Sequence, residues 1–250
     1  MLAIIGGTGL TRLSSLAVAH REVARTPYGE PSAALVLGKL AGHDAIFLAR
    51  HGHGHTIPPH RVNYRANLWA LKQAGATAVL AVASVGAIRG AGPGDLVLPH
   101  QIIDYTWGRV QTFFDGNGAQ VVHTDFTHPY DADLRAACLA AANQAGIALA
   151  DGGVYAAVNG PRLETAAEID RMERDGATVV GMTGMPEAGL AREIGLRYAV
   201  VCVVVNHAAG RGDSATRISL EGIARVLETG MDRVRSLIEH AIAGIAHAAP

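Results

Sequence analysis

The sequence predicts an α/β fold, a single domain in which a central β-sheet is flanked by helices. Short apolar runs alternate with helical patterns along the 250 residues, and this alternation is typical of α/β domains. Most of these runs are continuously apolar, as in AVVCVVVN at residues 199–206. Such runs indicate strands that are covered on both faces. No low-complexity linker interrupts the pattern, so one domain spanning residues 1–250 is expected.

Hydrophobic periodicity predicts where the elements lie. The predicted strands are residues 2–5, 34–40, 43–49, 78–83, 95–103, 153–158, 177–181 and 197–205. The predicted helices are residues 62–73, 132–145 behind an Asp131 cap, 165–174, 186–194 and 219–246. Pro186 and Glu187 suit the first turn of the fourth helix, where a carboxylate meets the positive end of the helix dipole. Residues 106–129 fit neither pattern and are interpreted as a long functional or partner-contacting loop.

The composition argues against several function classes. The formal net charge is −1 and charged residues make up 17% of the chain, so neither nucleic acid nor an anionic membrane is an expected partner. Cys138 and Cys202 lie in apolar stretches and are expected to be free thiols in a reducing cytoplasm. No basic segment precedes the first apolar run, and no run approaches the ~20 residues that cross a bilayer. We therefore expect neither secretion nor membrane insertion.

A glycine-rich turn, Gly6-Gly7-Thr8-Gly9, follows the first predicted strand. Its backbone N–H groups and the Thr8 hydroxyl could bind an anion. The turn is not a dinucleotide-binding fingerprint, because that motif needs a third glycine where the helix opens. Taken alone, the turn is equally compatible with a simple change of chain direction.

Arg50 and His51 end another predicted strand and open the run RHGHGH. A guanidinium fork beside an imidazole donor suits phosphate. The alternating histidines, His51, His53 and His55, also suggest a metal site, but no carboxylate or cysteine stands nearby at ligand spacing. We therefore predict no metal, and an exposed loop for His53 and His55.

Three more polar residues stand at element boundaries. Glu164 follows a Gly-Pro turn and precedes a helix, so it is either a helix cap or a ligand-binding carboxylate. Thr183 joins a strand to a helix N-terminus and offers its hydroxyl to an anion. Asn206 closes an apolar strand at its carboxyl end, which is where open α/β sheets place their ligands.

Six motifs, in order along the chain, resemble the methylthioadenosine phosphorylase branch of the trimeric purine nucleoside phosphorylases. They are IIGGTGL, LARHGHGHTIPPHRVNYRANLWALK, PGDLVLPHQIIDYT, FFDGNG, NGPRLETAAEI and GMTGMPEAGLAREIGLRYA. Together they span nearly the whole chain. The resemblance implies a mixed, twisted central sheet and an enzyme that cleaves purine nucleosides. It also implies inorganic phosphate as the co-substrate, no cofactor, and a homotrimer.

The resemblance assigns roles residue by residue. The implied phosphate-binding residues are Thr8, Arg50, His51, Ala83, Ser84 and Thr183. Relatives commonly have threonine where Ala83 stands, so the Ser84 hydroxyl or backbone N–H groups are expected to replace that contact. The implied nucleoside-binding residues are Leu163, Glu164, Met182, Asn206 and Ala208, with Met182 beneath the ribose. His123, in the long loop, is expected to reach the 5' substituent in a neighbouring subunit.

Glu164 and Asn206 indicate which base is bound. Family members that act on adenine-type nucleosides usually present Ser and Asp at these two positions, whereas this chain has the pair typical of 6-oxopurine phosphorylases. A 6-oxopurine carries an N1–H that a carboxylate can accept, while adenine N1 has only a lone pair. The Asn206 amide can donate to O6 or N7 of the same base. Adenine-type nucleosides are therefore expected to be poor substrates.

The 5' end of the substrate is indicated by the start of the last helix. Family members that prefer a 5'-hydroxyl place a histidine there, whereas this chain has Ser219 and Leu220 in a largely apolar segment. An apolar wall favours a methylthio group by ~1–3 kcal/mol. The expected reaction is phosphorolysis of methylthioinosine, with inosine and guanosine as secondary substrates. Catalysis is expected to be electrostatic: Arg50 and His51 bind the phosphate, and Asn206 stabilises negative charge on the leaving base.

Other functions stay open on the sequence alone. Within the family, the alternatives are a methylthioadenosine phosphorylase and a general 6-oxopurine nucleoside phosphorylase. A nucleoside hydrolase would use water and would not need an Arg-His phosphate pair. A non-catalytic nucleotide-binding module would leave Glu164 and Asn206 without a joint purpose. A metallohydrolase built on the histidine run would lose its activity on chelation.

Overall fold

The computed structural model describes residues 1–116 and 120–247 and contains one mixed sheet flanked by helices. This confirms the predicted fold class. The strands of the described residues are β1 (Leu2–Gly6), β2 (Ala17–Glu22), β3 (Leu35–Leu40), β4 (His43–Ala49), β5 (Ala78–Ala87), β6 (Leu96–Leu98), β7 (Gln101–Asp104), β8 (Leu149–Asp151), β9 (Val154–Ala157), β10 (Val179–Gly181) and β11 (Arg197–His207). The helices are α1 (Tyr64–Gln73), α2 (Ala132–Gln144), α3 (Ala166–Arg174), α4 (Gly184–Glu193) and α5 (Leu220–His247). Within the described residues, every helix is too short or too polar to cross a bilayer.

Strand β5 is the branch point of the sheet, whose main path runs β2-β3-β4-β1-β5-β10-β9-β7. The start of β5 pairs in parallel with β1 as far as Ala81. Its end pairs with β10 in the antiparallel sense, from Gly86 onward. Residues 82–85 pair only with β11 among the described strands. A crevice therefore opens where β1 ends and β10 begins, at a topological switch of the kind that binds ligands in α/β sheets.

The continuous apolar strands are explained by hydrophobic layers on both faces of the sheet. In β11, Val201 and Val203 pack in the layer that contains α2 and α5. Val200 and Val204 point the opposite way, into the layer that contains α1 and α4. Because successive side chains of a strand alternate between faces, a strand covered on both sides needs apolar residues at every position.

Side-chain caps mark where α2 and α3 begin. Asp131 Oδ1 accepts a hydrogen bond from Leu134 N at 2.8 Å, which confirms the predicted cap of α2. At α3, Thr165 and Glu168 form a reciprocal capping box. Since Thr165 is the N-cap residue, Glu164 lies outside the helix and its carboxylate is not used as a cap.

One strand prediction needs correction, and two strands were not predicted. The single strand expected at residues 95–103 is two strands, β6 and β7, because the chain turns at Pro99 and proline cannot donate to a ladder. β2 was missed because all six of its side chains are exposed and it has no apolar face. β8 was missed because three residues are too few to show a period.

The segment interpreted as a long loop, residues 106–129, contains no helix or strand in its described parts. Residues 117–119, which include the end of the FFDGNG motif, lie outside the described residues.

Candidate active site

One cavity of about 500 Å³ lies in the crevice beside β5 and collects most of the predicted site residues. Those lining it are Thr8, Arg50, His51, Ala83, Ser84, Leu163, Glu164, Met182, Thr183, Asn206, Ala208 and Leu220. They come from the carboxyl ends of β1, β4, β10 and β11, from the middle of β5, and from the loop that precedes α3. The size suits a nucleoside-sized ligand. Residues far apart in sequence are therefore assembled in one place.

Arg50 is completely buried at the end of β4 and lies at the floor of the cavity. Its Nε and Nη2 donate to the two carboxylate oxygens of Glu187 at 2.7 and 2.8 Å. Its Nη1 donates to Val82 O at 2.8 Å. A Cβ at Gly7 would lie 2.7 Å from Val82 O and 3.0 Å from Nη1, so glycine lets the turn approach β5 and the guanidinium this closely. A guanidinium has five N–H donors, and two remain for a ligand.

Glu187 was missed as a site residue. Its place in the first turn of the predicted helix suggested only a carboxylate stabilised by the helix dipole, but the residue is 1% exposed. Its partners are Arg50 and the hydroxyl of Tyr198, which donates to Oε1 at 2.8 Å. An acidic residue within the apolar segment GMPEAGLA was the available signal, since a buried charge needs a partner.

His51 lies next to Arg50 and is buried. Burial, together with the neighbouring Arg50 charge, lowers the pKa of His51 to about 4, so the ring is neutral at pH 7. Its Nδ1 is 2.8 Å from Ile57 O. A carbonyl oxygen can only accept, so Nδ1 has the hydrogen and Nε2 has the lone pair. The neutral ring therefore matches a phosphate O–H, whereas the predicted donation to phosphate requires protonation of the ring.

Three hydroxyl-bearing residues line the cavity together with Arg50 and His51. Ser84 Oγ is buried and has no hydrogen-bond partner in the described residues. Thr183 is the N-cap residue of α4, yet its side chain makes no capping hydrogen bond. Thr8 lines the same cavity from the glycine-rich turn. Because buried polar groups are rarely left unpaired, the Ser84 hydroxyl has hydrogen-bonding capacity for a ligand.

Glu164 and Asn206 line the same cavity. Burial, with a smaller contribution from the Glu168 charge, raises the pKa of Glu164 above its usual 4.5. The register of β11 against β5 shifts between Val204 and Asn206, and such bulges redirect side chains near functional sites. Asn206 Nδ2 donates to His207 O at 2.5 Å. The Asn206 amide thus has its oxygen and one N–H available.

Two of the predicted residues lie outside this cavity. Ser219 lines an adjoining cavity of about 610 Å³, which shares Asn206 and Ile223 with the first. His123 is exposed on the long loop and does not line the cavity of its own chain. Leu220 lines the cavity but is 72% exposed at the start of α5.

The three histidines of the RHGHGH run do not all face the same cavity. His51 and His55 line the cavity with ring centroids 4.5 Å apart. His53 faces a different depression, beside Arg12. Within residues 1–116 and 120–247, no three His, Cys, Asp or Glu side chains are grouped so that they could bind a metal ion.

Arg109 is a second residue that the sequence analysis missed. It donates to Asn159 O at 2.8 Å and to Met185 O at 2.5 Å. Its guanidinium also lies 5.6 Å from the centroid of the Tyr64 ring. Arg109 thereby joins the long loop to the segment before Glu164 and to the start of α4. No local pattern marks this residue, because all its partners are distant in sequence.

Comparison with known proteins identifies the family. The model of the phosphorylase superfamily matches residues 1–243. The chain belongs to the phosphorylase superfamily. Among relatives of this phosphorylase is a probable S-methyl-5'-thioinosine phosphorylase of Pseudomonas syringae, which is 53% identical over 94% of this chain and 96% of the relative. A probable 6-oxopurine nucleoside phosphorylase of Moorella thermoacetica is 44% identical over 98% and 93% of the two chains.

Solved structures agree with this assignment. The methylthioadenosine phosphorylase of Schistosoma mansoni in complex with adenine has a TM-score of 0.94 and 31% identity to this phosphorylase. The match covers 99% of this chain and 92% of that one. The predicted family resemblance is confirmed, as is the prediction that the chain is an enzyme of the nucleoside phosphorylase type.

Proposed function

We propose that this phosphorylase cleaves S-methyl-5'-thioinosine with inorganic phosphate, giving hypoxanthine and 5-methylthioribose 1-phosphate in purine salvage. The observation that most supports the proposal is that Glu164 and Asn206 line the same cavity as Arg50 and His51. A carboxylate and a carboxamide suit the edge of a 6-oxopurine. A guanidinium suits phosphate.

The proposed mechanism separates charge across the cavity. Phosphate attacks C1' as the bond to N9 breaks, so positive charge develops on the ribose and negative charge on the purine. Thr8, Arg50, His51, Thr183 and the Ala83-Ser84 segment bind phosphate on one side of the ribose. Asn206 stabilises negative charge on O6 and N7, and Glu164 accepts the N1–H. Fixed dipoles and charges of this kind lower the barrier without a covalent enzyme intermediate.

The remaining substrate contacts are assigned by position. Met182 lies beneath the ribose, and Leu163 and Ala208 contact the nucleoside. Leu220, supported by Ile223 in the cavity wall, contacts the methylthio group, with Ser219 beside it. An apolar wall disfavours a 5'-hydroxyl, so inosine is a weaker substrate by the ~1–3 kcal/mol of a small hydrophobic pocket. No metal or organic cofactor takes part in this scheme.

We also propose a homotrimer in the reducing cytoplasm. Apolar side chains on the long loop are exposed in the single chain, including Trp107 and Val121 at 74% each. Exposed apolar groups of this kind mark contact surfaces. His123, on the same loop, would then reach the 5' end of a neighbour's substrate. Cys138 and Cys202 are buried free thiols, as a reducing compartment allows.

A side-by-side assay tests the proposed function. Cleavage of methylthioinosine, methylthioadenosine and inosine would be followed with and without phosphate. We expect phosphate-dependent cleavage in which kcat/KM is highest for methylthioinosine. Cleavage without phosphate would indicate a hydrolase, and binding without cleavage would indicate a nucleotide-binding module. Loss of activity on chelation would contradict the metal-free scheme.

A further inference from the structure

Arg50 and Glu187 form an ion pair that is buried on both sides, each side chain being 1% exposed. Their contact is bidentate and side-on, because Nε and Nη2 each meet a different carboxylate oxygen. Removing two charges from water is costly, and their mutual attraction often does no more than offset that cost. The stability of the fold therefore does not explain this pair, whose position points to a role in the adjacent cavity.

The geometry accounts for three of the five N–H donors of Arg50. Glu187 accepts from Nε and from Nη2, and Val82 O accepts from Nη1 at 2.8 Å. One hydrogen on each terminal nitrogen remains. Because Glu187 meets Nε and Nη2 on the side of the guanidinium, it leaves open the end of the fork between Nη1 and Nη2, which is the edge that can bind two oxygens of one oxyanion. Nη1 also lies beside Gly7 of the glycine-rich turn.

Glu187 is itself fixed in place. It stands in the first turn of α4, and Tyr198 on β11 donates to its Oε1 at 2.8 Å. Burial acts to lower the pKa of Arg50, but the Glu187 carboxylate outweighs it and the pKa is raised, so the guanidinium stays charged. Arg50 would otherwise be a buried cation with rotational freedom about its last torsions.

We propose that Glu187 is a positioning residue that aims the free end of the Arg50 guanidinium at phosphate. The carboxylate occupies the side of the fork, so that one N–H on each of Nη1 and Nη2 remains for the co-substrate. This inference rests on the proposed function and adds a residue to it. Glu187 acts through Arg50 and does not touch the reacting atoms.

Steady-state kinetics of Glu187→Gln test the proposal. Glutamine has nearly the same size as glutamate, but its amide nitrogen donates and cannot accept. One of the two Arg50 N–H groups therefore loses its acceptor, and the side-on contact is broken. We expect KM for phosphate to rise about tenfold or more, with KM for methylthioinosine within about twofold of wild type. The matched control is Glu193→Gln, on the same helix, whose Oε2 accepts from Phe113 N at 2.8 Å. The control should leave both KM values unchanged.

A double variant separates positioning from general destabilisation. Lysine cannot make the side-on bidentate contact, so in the Arg50→Lys background Glu187→Gln should change the phosphate KM less than threefold. An equal effect in both backgrounds would overturn the proposal. If Glu187→Gln does not fold, Glu187→Asp, which retracts the carboxylate by one methylene, should raise the phosphate KM at least threefold. A folded variant with an unchanged or lower phosphate KM would also overturn it.

Failure of this inference is distinguishable from failure of the proposed function. The wild-type enzyme is assayed first, and absence of phosphate-dependent cleavage there refutes the function itself. When the wild type is active, only the change of phosphate KM in the variants decides the role of Glu187.

Discussion

Glu164 shows a conflict between stability and binding at the scale of one residue. Burial raises the pKa of its carboxyl group, so the folded state favours the protonated form. The stability that this group contributes is present at acid pH and is lost as the pH rises through its folded pKa. Binding of a 6-oxopurine needs the opposite, an ionised carboxylate that accepts N1–H. The conflict is typical of functional positions.

Glu164→Gln is therefore expected to lower activity without lowering stability. At pH 7 the variant should have a melting temperature equal to or above that of wild type, because the buried charge is removed. In wild type, kcat/KM for methylthioinosine should fall on the acid side with an apparent pKa above 4.5, and the variant should lack this limb. Thermal unfolding and a pH profile are the two measurements. An identical acid limb in both proteins would exclude Glu164 as its source.

The base preference is also decided by single residues. The double variant Glu164→Ser with Asn206→Asp should shift the preference toward methylthioadenosine, because a carboxylate can accept from the exocyclic amine or a protonated N7, while the N1 lone pair no longer faces an anion. The ratio of kcat/KM for methylthioadenosine and methylthioinosine measures the shift. An unchanged ratio in a folded variant would refute the assigned base contacts.

At the scale of elements, the start of α4 organises the cavity. This single turn provides Thr183 to the cavity and Glu187 to Arg50. Met185 interrupts the helical backbone between them, with φ −119° and ψ 142°. Arg109 reaches this interruption from the long loop by donating to Met185 O. The loop and the helix therefore depend on each other through one side chain.

Arg109→Met should loosen this connection. The substitution leaves partly buried carbonyl oxygens unpaired, at a cost of ~1–3 kcal/mol in unfolding free energy. KM for methylthioinosine should rise more than KM for phosphate, because Arg109 bonds the segment leading to Glu164. The measurements are denaturant unfolding and steady-state kinetics.

The matched control for Arg109→Met is Arg192→Met. Arg192 also bonds the long loop, at Asp125 O, but it is exposed. The control should change stability by no more than ~0.5 kcal/mol. Equal effects of the two substitutions would show that Arg109 has no special role.

At the scale of the whole molecule, the open question is how the exposed loop is covered. Val121→Asp with Val122→Asp should weaken the proposed homotrimer, because two charges would replace apolar side chains that are 74% and 45% exposed in the single chain. Sedimentation at several concentrations measures the change. The control is Val23→Asp, at a residue that is 81% exposed and lies outside the loop. A wild-type protein that sediments as a monomer would contradict the trimer.

Local sequence patterns predicted much of the fold and of the candidate site. The continuous apolar runs predicted the central strands, because burial on both faces demands them. Polar residues at strand ends, together with the family resemblance, predicted twelve residues that do line one cavity, since the carboxyl ends of strands meet at the same edge of a sheet. β2 and β8 gave no such signal, because an exposed strand and a three-residue strand show no hydrophobic period.

The sequence by itself determined the fold class, the family and the set of polar groups available to a ligand, because these depend on residue type and spacing. Only the tertiary structure decided the partners of those groups. It paired Arg50 with Glu187, 137 residues away, and placed the Nδ1 hydrogen of His51 against Ile57 O. It also left the Ser84 hydroxyl without a partner among the described residues. Hydrogen bonds form between atoms that are close in space, and closeness across a sheet is set by strand order and register, which one-dimensional patterns do not record.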